Sequence, residues 1–458
     1  MKLTIFLSLF WAMNLLYGEW FAYLVPSRWT CYWTCIYIDY SSSYAKIAAI
    51  ADPQLMDRTS LPLAREVVRF YSELYMRRTF LSSILPFNPD VILFLGDYFD
   101  GSNSISDEEW QESLGSFKHI FNLNRIHKTS NTKTYYLSGN QDIGSSDSYE
   151  SAFGASNFKV TIGEVDFIGI DAQTLDGHPQ GNFTSDTCLK GILNLLDISS
   201  NPRVLLSHIP LYRPDWTPCG PHRSSPIINQ LVHRVDHGQE IVYQNYITEK
   251  STNSILELIR PALVLSAHDH DQCTVSHAYN NGHATEHTVG TVRWQQGNLY
   301  PSFMLLSAKN SSVSPKDALM TNICFLPVQT HIYTWYLSLF AMTVVVILLW
   351  PASEVHITRK LSSFTDAEGA MHLIKKTKKV SVVKESSSTQ RGNAVMRSKV
   401  HKQEDAGSAS EDVGTHRTNR PRANMIIWRF LRATRALLAP TFLYMHSSSS
   451  RIPWTKIS

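Results

Sequence analysis

Five short polar clusters each follow an apolar stretch with the length and composition of a β-strand. In chain order they are Asp52-Pro53-Gln54, Gly96-Asp97-Tyr98-Phe99-Asp100, Gly139-Asn140-Gln141-Asp142, Ser207-His208 and Ala267-His268-Asp269-His270-Asp271. In an open α/β sheet, ligands bind outside the carboxyl ends of the strands, so clusters far apart in sequence are expected to converge. Oxygen and imidazole ligands without thiolates suit a divalent ion such as Mn²⁺, Fe²⁺ or Zn²⁺. The sequence therefore predicts a metal centre at this edge of the sheet.

A carboxylate shared by two ions would adapt such a centre to attack at phosphorus. Two divalent ions about 3.5–4 Å apart can clamp the attacking and leaving oxygens of an in-line displacement. Each cluster alone is weak evidence, because an Asp after a strand is usually a helix cap or turn residue and a single His is usually structural. Five clusters in this order favour metal-dependent phosphoester chemistry.

The elements that must position these clusters alternate between strand-like and helical patterns, which is typical of a layered α/β domain. We predict one domain over residues 46–308, since about 260 residues are ample for a buried core. Its strands are expected at Lys46–Ala51, Val91–Leu95, Thr134–Leu137, Val165–Ile170, Arg203–Leu206 and Ala262–Leu265. One stretch has helical spacing, Leu63–Leu85, with Val67, Phe70, Leu74 and Leu81 on one side.

Two apolar stretches flank this domain. Residues 332–350 carry no charge, and because about 20 apolar residues suffice for a helix to cross a bilayer, we predict a transmembrane helix over 330–350. Only Glu19 interrupts the apolar stretch near the N-terminus, so residues 1–25 are predicted to be a retained anchor, with a cleaved signal peptide as the alternative. Residues 26–45 and 309–329 are expected to be linkers.

Charge divides the chain at the second apolar stretch. The formal net charge is +3, but residues 351–458 hold 19 Lys+Arg against 8 Asp+Glu, whereas residues 1–350 hold 23 against 31. The positive-inside rule places the basic tail in the cytosol and the domain on the non-cytosolic side, in a lumen. The tail is expected to be largely disordered, with an amphipathic helix at 425–445 and contacts with anionic lipids. It carries no nucleic-acid-binding motif, so no nucleic acid is expected as a partner.

Composition and short motifs narrow the class further. With 43% apolar residues and six cysteines, the chain is neither disordered throughout, nor collagen-like, nor a small disulfide scaffold. A lumen would permit disulfides, but their pairing cannot be read from the sequence. Two sequons, at Asn182 and Asn310, would be open to glycosylation there.

Together these motifs resemble the calcineurin-like metallophosphoesterases, whose signature runs D-x-H, GDxxD, GNH with an acidic residue, a later single His, and GHxH. Within that family the chain is similar to the membrane-anchored branch that removes ethanolamine phosphate from GPI anchors in the secretory pathway. The resemblance covers roughly residues 46–307 and rests on stretches such as DVILFLGDYFDG, HIPLYRPDWTPCGPHR, HDHDQC and EHTVGTVRWQQGNLYPSFMLLS. It implies a four-layer α/β/β/α sandwich in the lumen of the ER or Golgi, with a GPI glycolipid or GPI-anchored proteins as the substrate at a lipid bilayer.

The resemblance also assigns the site residues by position. It implies two divalent ions, with Mn²⁺ as the first expectation and Fe²⁺ or Zn²⁺ as alternatives. Asp97 would bridge the ions; the other ligands would be Asp52, Gln54 and His270 for the first ion, and Asn140, His208 and His268 for the second. Catalytic roles are implied for Asn140, Gln141, Asp142 and Asp100, with Asp142 orienting the side chain at position 141 and Asp100 orienting the site.

Three positions depart from the family pattern. Gln54 replaces a His, although an amide oxygen can bind a hard ion, and Ala267 replaces a Gly, which matters only if its φ is positive. Gln141 replaces the His that would donate a proton to the leaving group, and Gln cannot supply a proton near neutral pH. General acid catalysis contributes about 10²–10⁴-fold, so activity is expected to be attenuated.

These departures leave two alternatives to a GPI-anchor phosphodiesterase. One is a catalytically impaired relative that binds the GPI glycan or its cargo in ER-to-Golgi trafficking, and the other is a phosphoesterase for another luminal substrate. Further histidines and one Glu could line the pocket or replace the missing acid: His222, His277, His283, Glu286 and His287. Cys219 and Cys273 are expected to be structural.

Overall fold

The structure is a computed structural model that describes residues 2–34, 44–56, 63–100, 106–142, 146–176, 185–196, 200–234, 241–280, 282–309 and 318–349. The basic tail with its expected amphipathic helix, and both sequon asparagines, lie outside the described residues.

Two mixed β-sheets form the centre of the domain. The strands are β1 (Tyr44–Ile50), β2 (Leu55–Met56), β3 (Val91–Phe94), β4 (Phe99–Asp100), β5 (Lys133–Tyr136), β6 (Phe158–Ile162), β7 (Val165–Ile170), β8 (Arg203–Ser207), β9 (Val232–Arg234), β10 (Ile241–Gln244), β11 (Leu263–Ser266), β12 (Cys273–Tyr279), β13 (Gly282–Thr288), β14 (Ser302–Lys309) and β15 (Leu319–Phe325). The first sheet has the order β15-β14-β1-β3-β5 and the second β12-β13-β11-β8-β7-β6, while β2 pairs with β4 and β9 with β10. All six strands predicted from the sequence are present.

The described α-helices precede, separate and follow the strands along the chain. They are α1 (Lys2–Leu16), α2 (Ala22–Val25), α3 (Leu63–Thr79), α4 (Asp107–Ile120), α5 (Leu123–Thr129), α6 (Ser146–Phe153), α7 (Ala172–Leu175), α8 (Ser185–Leu195), α9 (Glu249–Ile259) and α10 (Gln329–Leu349). Local chemistry fixes where some of them begin. Ser106 and Glu109 form a reciprocal capping box at the start of α4, which satisfies N–H groups that have no partner within the helix.

Three apolar clusters show how the layers stack. Successive residues of β1 point to opposite faces of the sheet, so Ile47 and Ala49 pack between the two sheets while Ala48 and Ile50 pack against the helical layer that contains α3 and α4. A third cluster joins the outer face of the second sheet to α8 and α9. Because both faces of β1 are buried, its sequence is apolar without alternation. The order is α/β/β/α, which confirms the predicted fold class.

The two segments predicted as linkers contribute to the domain where they are described. Residues 319–325 form β15, which pairs antiparallel with β14, and Trp33 is buried with its indole Nε1–H donating to Phe87 O at 3.2 Å. A disulfide joins Cys31 to Cys324 across these segments. No local pattern indicated β15, because this strand lies at the edge of the sheet, is mostly half-buried and lacks a continuous apolar run.

Two helices are long and apolar enough to span a membrane, Leu3–Thr30 and Gln329–Leu349, at the positions predicted from the sequence. The described chain divides into two compact units at residues 12/13 and 335/336. Within the smaller unit, the Trp11 Nε1–H donates to Thr343 Oγ1 at 3.0 Å. Within the larger unit, the Tyr23 hydroxyl donates to Gln329 Oε1 at 2.7 Å.

Candidate functional site

The five polar clusters lie at the carboxyl ends of β1, β3, β5, β8 and β11, and they converge there as predicted. Two groups of side chains could each hold a divalent cation, with potential ligand atoms that lie within 4.8 Å of one another. One group is Asp52, Asp97 and His270; the other is Asp97, His208 and His268. Asp97 belongs to both groups, so its carboxylate lies where one ligand could serve two ions.

The backbone of these clusters is strained. Five of the predicted metal ligands adopt positive φ, a region that non-glycine residues rarely visit. They are Asp52 (47°), Gln54 (39°), Asp97 (54°), His268 (65°) and His270 (64°). Each such residue costs of the order of 1–3 kcal/mol, and such strain concentrates at functional sites. Ala267 is not among the residues with positive φ, so the missing Gly of the family pattern has no conformational cost there.

Hydrogen bonds orient the two imidazoles of the second group. His208 Nδ1 is 2.7 Å from Leu95 O, and its Nε2 faces Asp97 Oδ1 at 3.2 Å and Asn140 Oδ1 at 3.1 Å. His268 Nε2 is 3.1 Å from Gln244 O. His268 Nδ1 is buried and has no hydrogen-bond partner among the described residues. A buried, unpartnered imidazole nitrogen beside a carboxylate is the donor that a divalent ion would take, so the residues fit the metal.

The first group is held by the loop after β11 and by Gln54. The backbone N–H of His268 donates to the Asp52 carboxylate at 3.2 Å. Gln54 Nε2 lies 3.1 Å from Asp97 Oδ2 and 2.9 Å from His270 Nε2, while Gln54 Oε1 accepts a hydrogen bond from Gln296. The amide therefore turns its nitrogen toward the centre. For Gln54 to be an oxygen ligand, its amide must rotate by half a turn.

Electrostatics favour a cation at this site. Burial raises the pKa of Asp52 well above its ordinary range, and the neighbouring Asp97 charge raises it further. Burial disfavours the charged forms of Asp97 and His208, but their mutual attraction outweighs it, lowering the pKa of Asp97 and raising that of His208 to about 9. Burial and the charge of His208 lower the pKa of His268 to about 3. The buried carboxylates of Asp52 and Asp97 oppose each other's charge, and a divalent ion would offset this repulsion while taking the place of the proton on His208.

The predicted catalytic residues take different positions. The backbone N–H of Gln141 donates to Asp97 Oδ1 at 2.9 Å. The Asp142 carboxylate accepts hydrogen bonds from the backbone N–H groups of Asp97, Tyr98 and Gly139 at 2.7–2.8 Å, so it orders the loops around the shared ligand. Burial, and then the Asp97 charge, raise the pKa of Asp142 to about 7.

Asp100 lies at the rim of the site. Its side chain is 52% exposed, and Oδ2 is 3.6 Å from Arg293 Nη1. Asp100 is in neither group of potential ligands, so its position suits a role in orienting Arg293.

The further candidates in the second half of the domain lie outside the two groups of potential ligands. His277 Nε2 is 2.8 Å from Glu286 Oε2 across β12 and β13, and His287 Nδ1 is 3.0 Å from Thr274 Oγ1. His283 is exposed on β13, and the His222 ring packs 5.3 Å from that of Phe325. None of the four histidines or Glu286 belongs to the two groups of potential ligands in the described structure. Cys219 and Cys273 form a disulfide, in agreement with the structural role expected for them.

Sequence reasoning missed several residues that support the site. Arg293 is buried and its guanidinium donates to Gln54 O at 2.5 Å, while the Thr291 hydroxyl donates to Asp52 O at 2.6 Å. The backbone carbonyl of Gln244 contacts His268 Nε2, and the Gln296 amide donates to Gln54 Oε1. The stretch TVRWQQG, residues 291–297, contains three of these residues and contributed to the resemblance, but nothing in its pattern identified them individually.

Comparison with known proteins agrees with this geometry. A family model described as calcineurin-like phosphoesterase matches residues 45–272, a span that includes both groups of potential ligands. Residues 45–272 of this chain form a calcineurin-like metallophosphoesterase domain. Cell division control protein 1 of Saccharomyces cerevisiae is 28% identical over 67% of this chain and 67% of its own length. The Metallophosphoesterase 1 homolog of Drosophila melanogaster is 26% identical over 61% of this chain and 75% of its own length. Metallophosphoesterase 1 of Danio rerio is 25% identical over 69% of this chain and 83% of its own length.

Family membership and the ligand groups make this metallophosphoesterase a metal-dependent phosphoesterase. Bound divalent ions supply Lewis acidity, which activates water and stabilises charge on a phosphoryl group. The residues of the chain supply the rest. Asp97 places a carboxylate between the two groups, and the Leu95 carbonyl fixes which nitrogen of His208 faces the centre. Arg293 holds the backbone of Gln54.

Proposed function

We propose that this metallophosphoesterase is a membrane-anchored phosphodiesterase that removes ethanolamine phosphate from the glycan of GPI anchors early in the secretory pathway. The observation that carries the proposal is the position of Asp97, which belongs to both groups of potential metal ligands. This arrangement suits a two-metal clamp on a phosphodiester. The motif stretches that resemble the GPI-acting branch support the choice of substrate.

Membrane anchoring supports the same substrate. Two candidate membrane helices, Leu3–Thr30 and Gln329–Leu349, would hold the domain at the bilayer in which a GPI glycolipid is embedded. The acidic domain would face the lumen and the basic tail the cytosol, where the tail would contact anionic lipids. Two disulfides, Cys31–Cys324 and Cys219–Cys273, suit an oxidising lumen.

Metal analysis and diester hydrolysis test the catalytic proposal. The full chain, purified in detergent, is expected to bind two equivalents of Mn²⁺ and to hydrolyse bis-nitrophenyl phosphate. Asp97→Asn should lose both ions and reduce turnover by about 10²-fold or more, because one carboxylate serves both ion sites. Asp107→Asn, at the start of α4, is the matched control and should match the wild type. A folded wild-type chain without bound metal after Mn²⁺ addition would refute the proposal.

Substrate class is tested separately. GPI-glycan fragments that carry ethanolamine phosphate are compared with nucleotides and phosphomonoesters under the same conditions. We expect the GPI fragment to give the highest kcat/KM. Faster turnover of a nucleotide would assign the metal centre to another luminal substrate.

Topology is tested with the two sequons. In cells, Asn182→Gln and Asn310→Gln should each remove one glycan, and protease added to intact vesicles should cleave the tail but spare the domain. Protection of the tail would reverse the proposed orientation.

A binding role is the second candidate, and Gln141 motivates it. The backbone N–H of Gln141 bonds Asp97 beside the metal centre, but its amide side chain cannot supply a proton to a leaving group. An impaired relative could still bind the GPI glycan or its cargo in ER-to-Golgi trafficking. The variant Gln141→His separates the two candidates, because it restores a side chain that can donate a proton.

A further inference from the structure

Helix α3 carries an exposed apolar face. The side chains of Val67, Val68, Phe70 and Tyr71 are 48%, 42%, 41% and 36% exposed. The buried side of the same helix is formed by Ser72, Tyr75, Met76 and Thr79. A surface helix of a soluble domain normally shows polar side chains opposite its buried stripe, so this face calls for an apolar environment.

The position of α3 indicates which environment that is. The Tyr75 hydroxyl donates to Pro327 O at 2.8 Å, two residues before α10 begins. One turn back along α3, the Tyr71 ring lies 6.3 Å from the ring of Tyr333, in the second turn of α10. Moving toward the N-terminus of α3 therefore means moving along α10 from Pro327 into the apolar stretch that begins at Ile332.

The other end of α3 is fixed to the N-terminal membrane helix. Arg78 forms an ion pair with Glu19, and the hydroxyl of Ser83, just beyond α3, donates to Tyr23 O at 2.7 Å. These contacts all lie within the larger compact unit, Met13–Trp335. The helix is thus held beside the ends of both candidate membrane helices.

We propose that the apolar face of α3 lies in the lipid headgroup layer and binds the bilayer surface. Aromatic residues favour that layer, and a helix with one apolar face lies in it rather than across the membrane. The charges of Glu66 and Arg69 limit the depth, although Arg69 has an i,i+4 partner in Glu73 at 3.8 Å. The proposal rests on the membrane anchoring in the proposed function.

The apolar face of α3 would set the distance of the metal centre from the membrane surface. Asp52 and Gln54 lie on the segment that leads from β1 toward α3, and β2 follows them directly. Seating α3 in the headgroups would hold this segment close to the membrane, where the phosphodiester of a lipid-linked glycan would be presented. The apolar face would then favour lipid-linked over soluble substrates.

Lipid photolabelling tests the contact directly. The full chain is reconstituted in phosphatidylcholine vesicles that contain a lipid with a diazirine near its headgroup, and labelled peptides are identified by mass spectrometry. Peptides from α3 should be labelled, whereas α8, in the opposite helical layer, should not, although its Leu193 is 50% exposed. Labelled α10 with unlabelled α3 would overturn the proposal. If neither is labelled, the membrane anchoring itself fails.

Substitution provides the second arm. Val67→Asp combined with Phe70→Asp should reduce the ratio of lipid-linked to soluble diester hydrolysis about tenfold, because a charged face no longer partitions into the interface. Leu193→Asp is the matched control and should leave the ratio unchanged. Bound Mn²⁺ and the melting temperature verify folding of each variant. An unchanged ratio in a folded double variant refutes the proposal, and so does concentration-dependent self-association that the double substitution abolishes, since a second copy would then occupy the face.

Discussion

The carboxylate of Asp142 accepts a hydrogen bond from the backbone N–H of Asp97 at 2.8 Å, which joins two loops of the metal centre. The loops also touch directly at Gly139, where an added Cβ would lie 2.2 Å from the backbone nitrogen of Asp97. A side chain at position 139 would separate the loops. The position of the shared ligand therefore depends on residues that need not touch a metal.

Asp142→Asn tests this positioning role. An amide offers one acceptor oxygen and turns an NH₂ group toward backbone donors, so we expect a loss of stability of about 1–3 kcal/mol. Affinity for Mn²⁺ should fall by about 10–100-fold, as for other partners that orient metal ligands. Calorimetric Mn²⁺ titration and thermal unfolding measure the two effects, with Asp107→Asn as control. Unchanged Mn²⁺ affinity with lost turnover would instead show that Asp142 acts on the substrate.

Gln141→His is expected to restore a proton donor. The gain in kcat should be about 10²-fold for a diester with an alkoxide leaving group, which needs a proton. It should be much smaller for bis-nitrophenyl phosphate, because nitrophenolate leaves without protonation. Steady-state kinetics with both substrates measure the difference, and Gln141→Asn is the control that adds no acid. Absence of turnover in every form, with Mn²⁺ bound, favours the binding role.

The Cys219–Cys273 disulfide is expected to stabilise the loop beneath the metal-ligand segment. The bond links residues 54 apart in sequence, and closing a loop of this length contributes about 2–4 kcal/mol. Arg223 bonds the Asp269 carboxylate on the same loop at 2.8 Å.

We expect the double variant Cys219→Ala/Cys273→Ala to melt at a lower temperature than the wild type. Scanning fluorimetry without reductant measures the difference while Cys31–Cys324 stays intact in both proteins. Equal melting temperatures would show that the hydrogen bonds of the loop suffice without the disulfide.

Glu286 is expected to make stability depend on pH. Burial alone would raise its pKa, but the hydrogen bond and charge of His277, together with the charge of Arg213, lower the pKa below its ordinary value of 4.5. A carboxyl group whose pKa is lowered on folding stabilises the fold at pH values above its ordinary pKa. This contribution disappears as the pH falls through the folded-state pKa.

The free energy of unfolding of wild type and Glu286→Gln should therefore differ most near neutral pH, by about 1.5–3 kcal/mol. The difference should shrink below pH 4.5. Urea unfolding at a series of pH values measures it, and the exposed Glu249→Gln serves as control. A difference that is constant from pH 7 to pH 3 would contradict the prediction.

The candidate site was predictable in composition but not in geometry. Asp52, Asp97, His208, His268 and His270 could be named because each follows an apolar strand whose end is visible in the local sequence. The supporting contacts of Gln244 and Arg293 could not be named, since they join segments that are distant in sequence and carry no periodic pattern. The orientation of the Gln54 amide likewise depends on Gln296, far along the chain.

The sequence by itself determined the layered α/β fold, the order of the metal-binding clusters and the positions of two apolar helices. Each is recorded in local patterns of apolar and polar residues, which physical chemistry constrains within a few turns or one strand. Only the tertiary structure decided that Asp97 belongs to both ligand groups, which cysteines pair, and that α3 turns Val67 and Phe70 outward. These outcomes depend on which distant surfaces meet when the layers pack, and packing is decided by the whole chain at once.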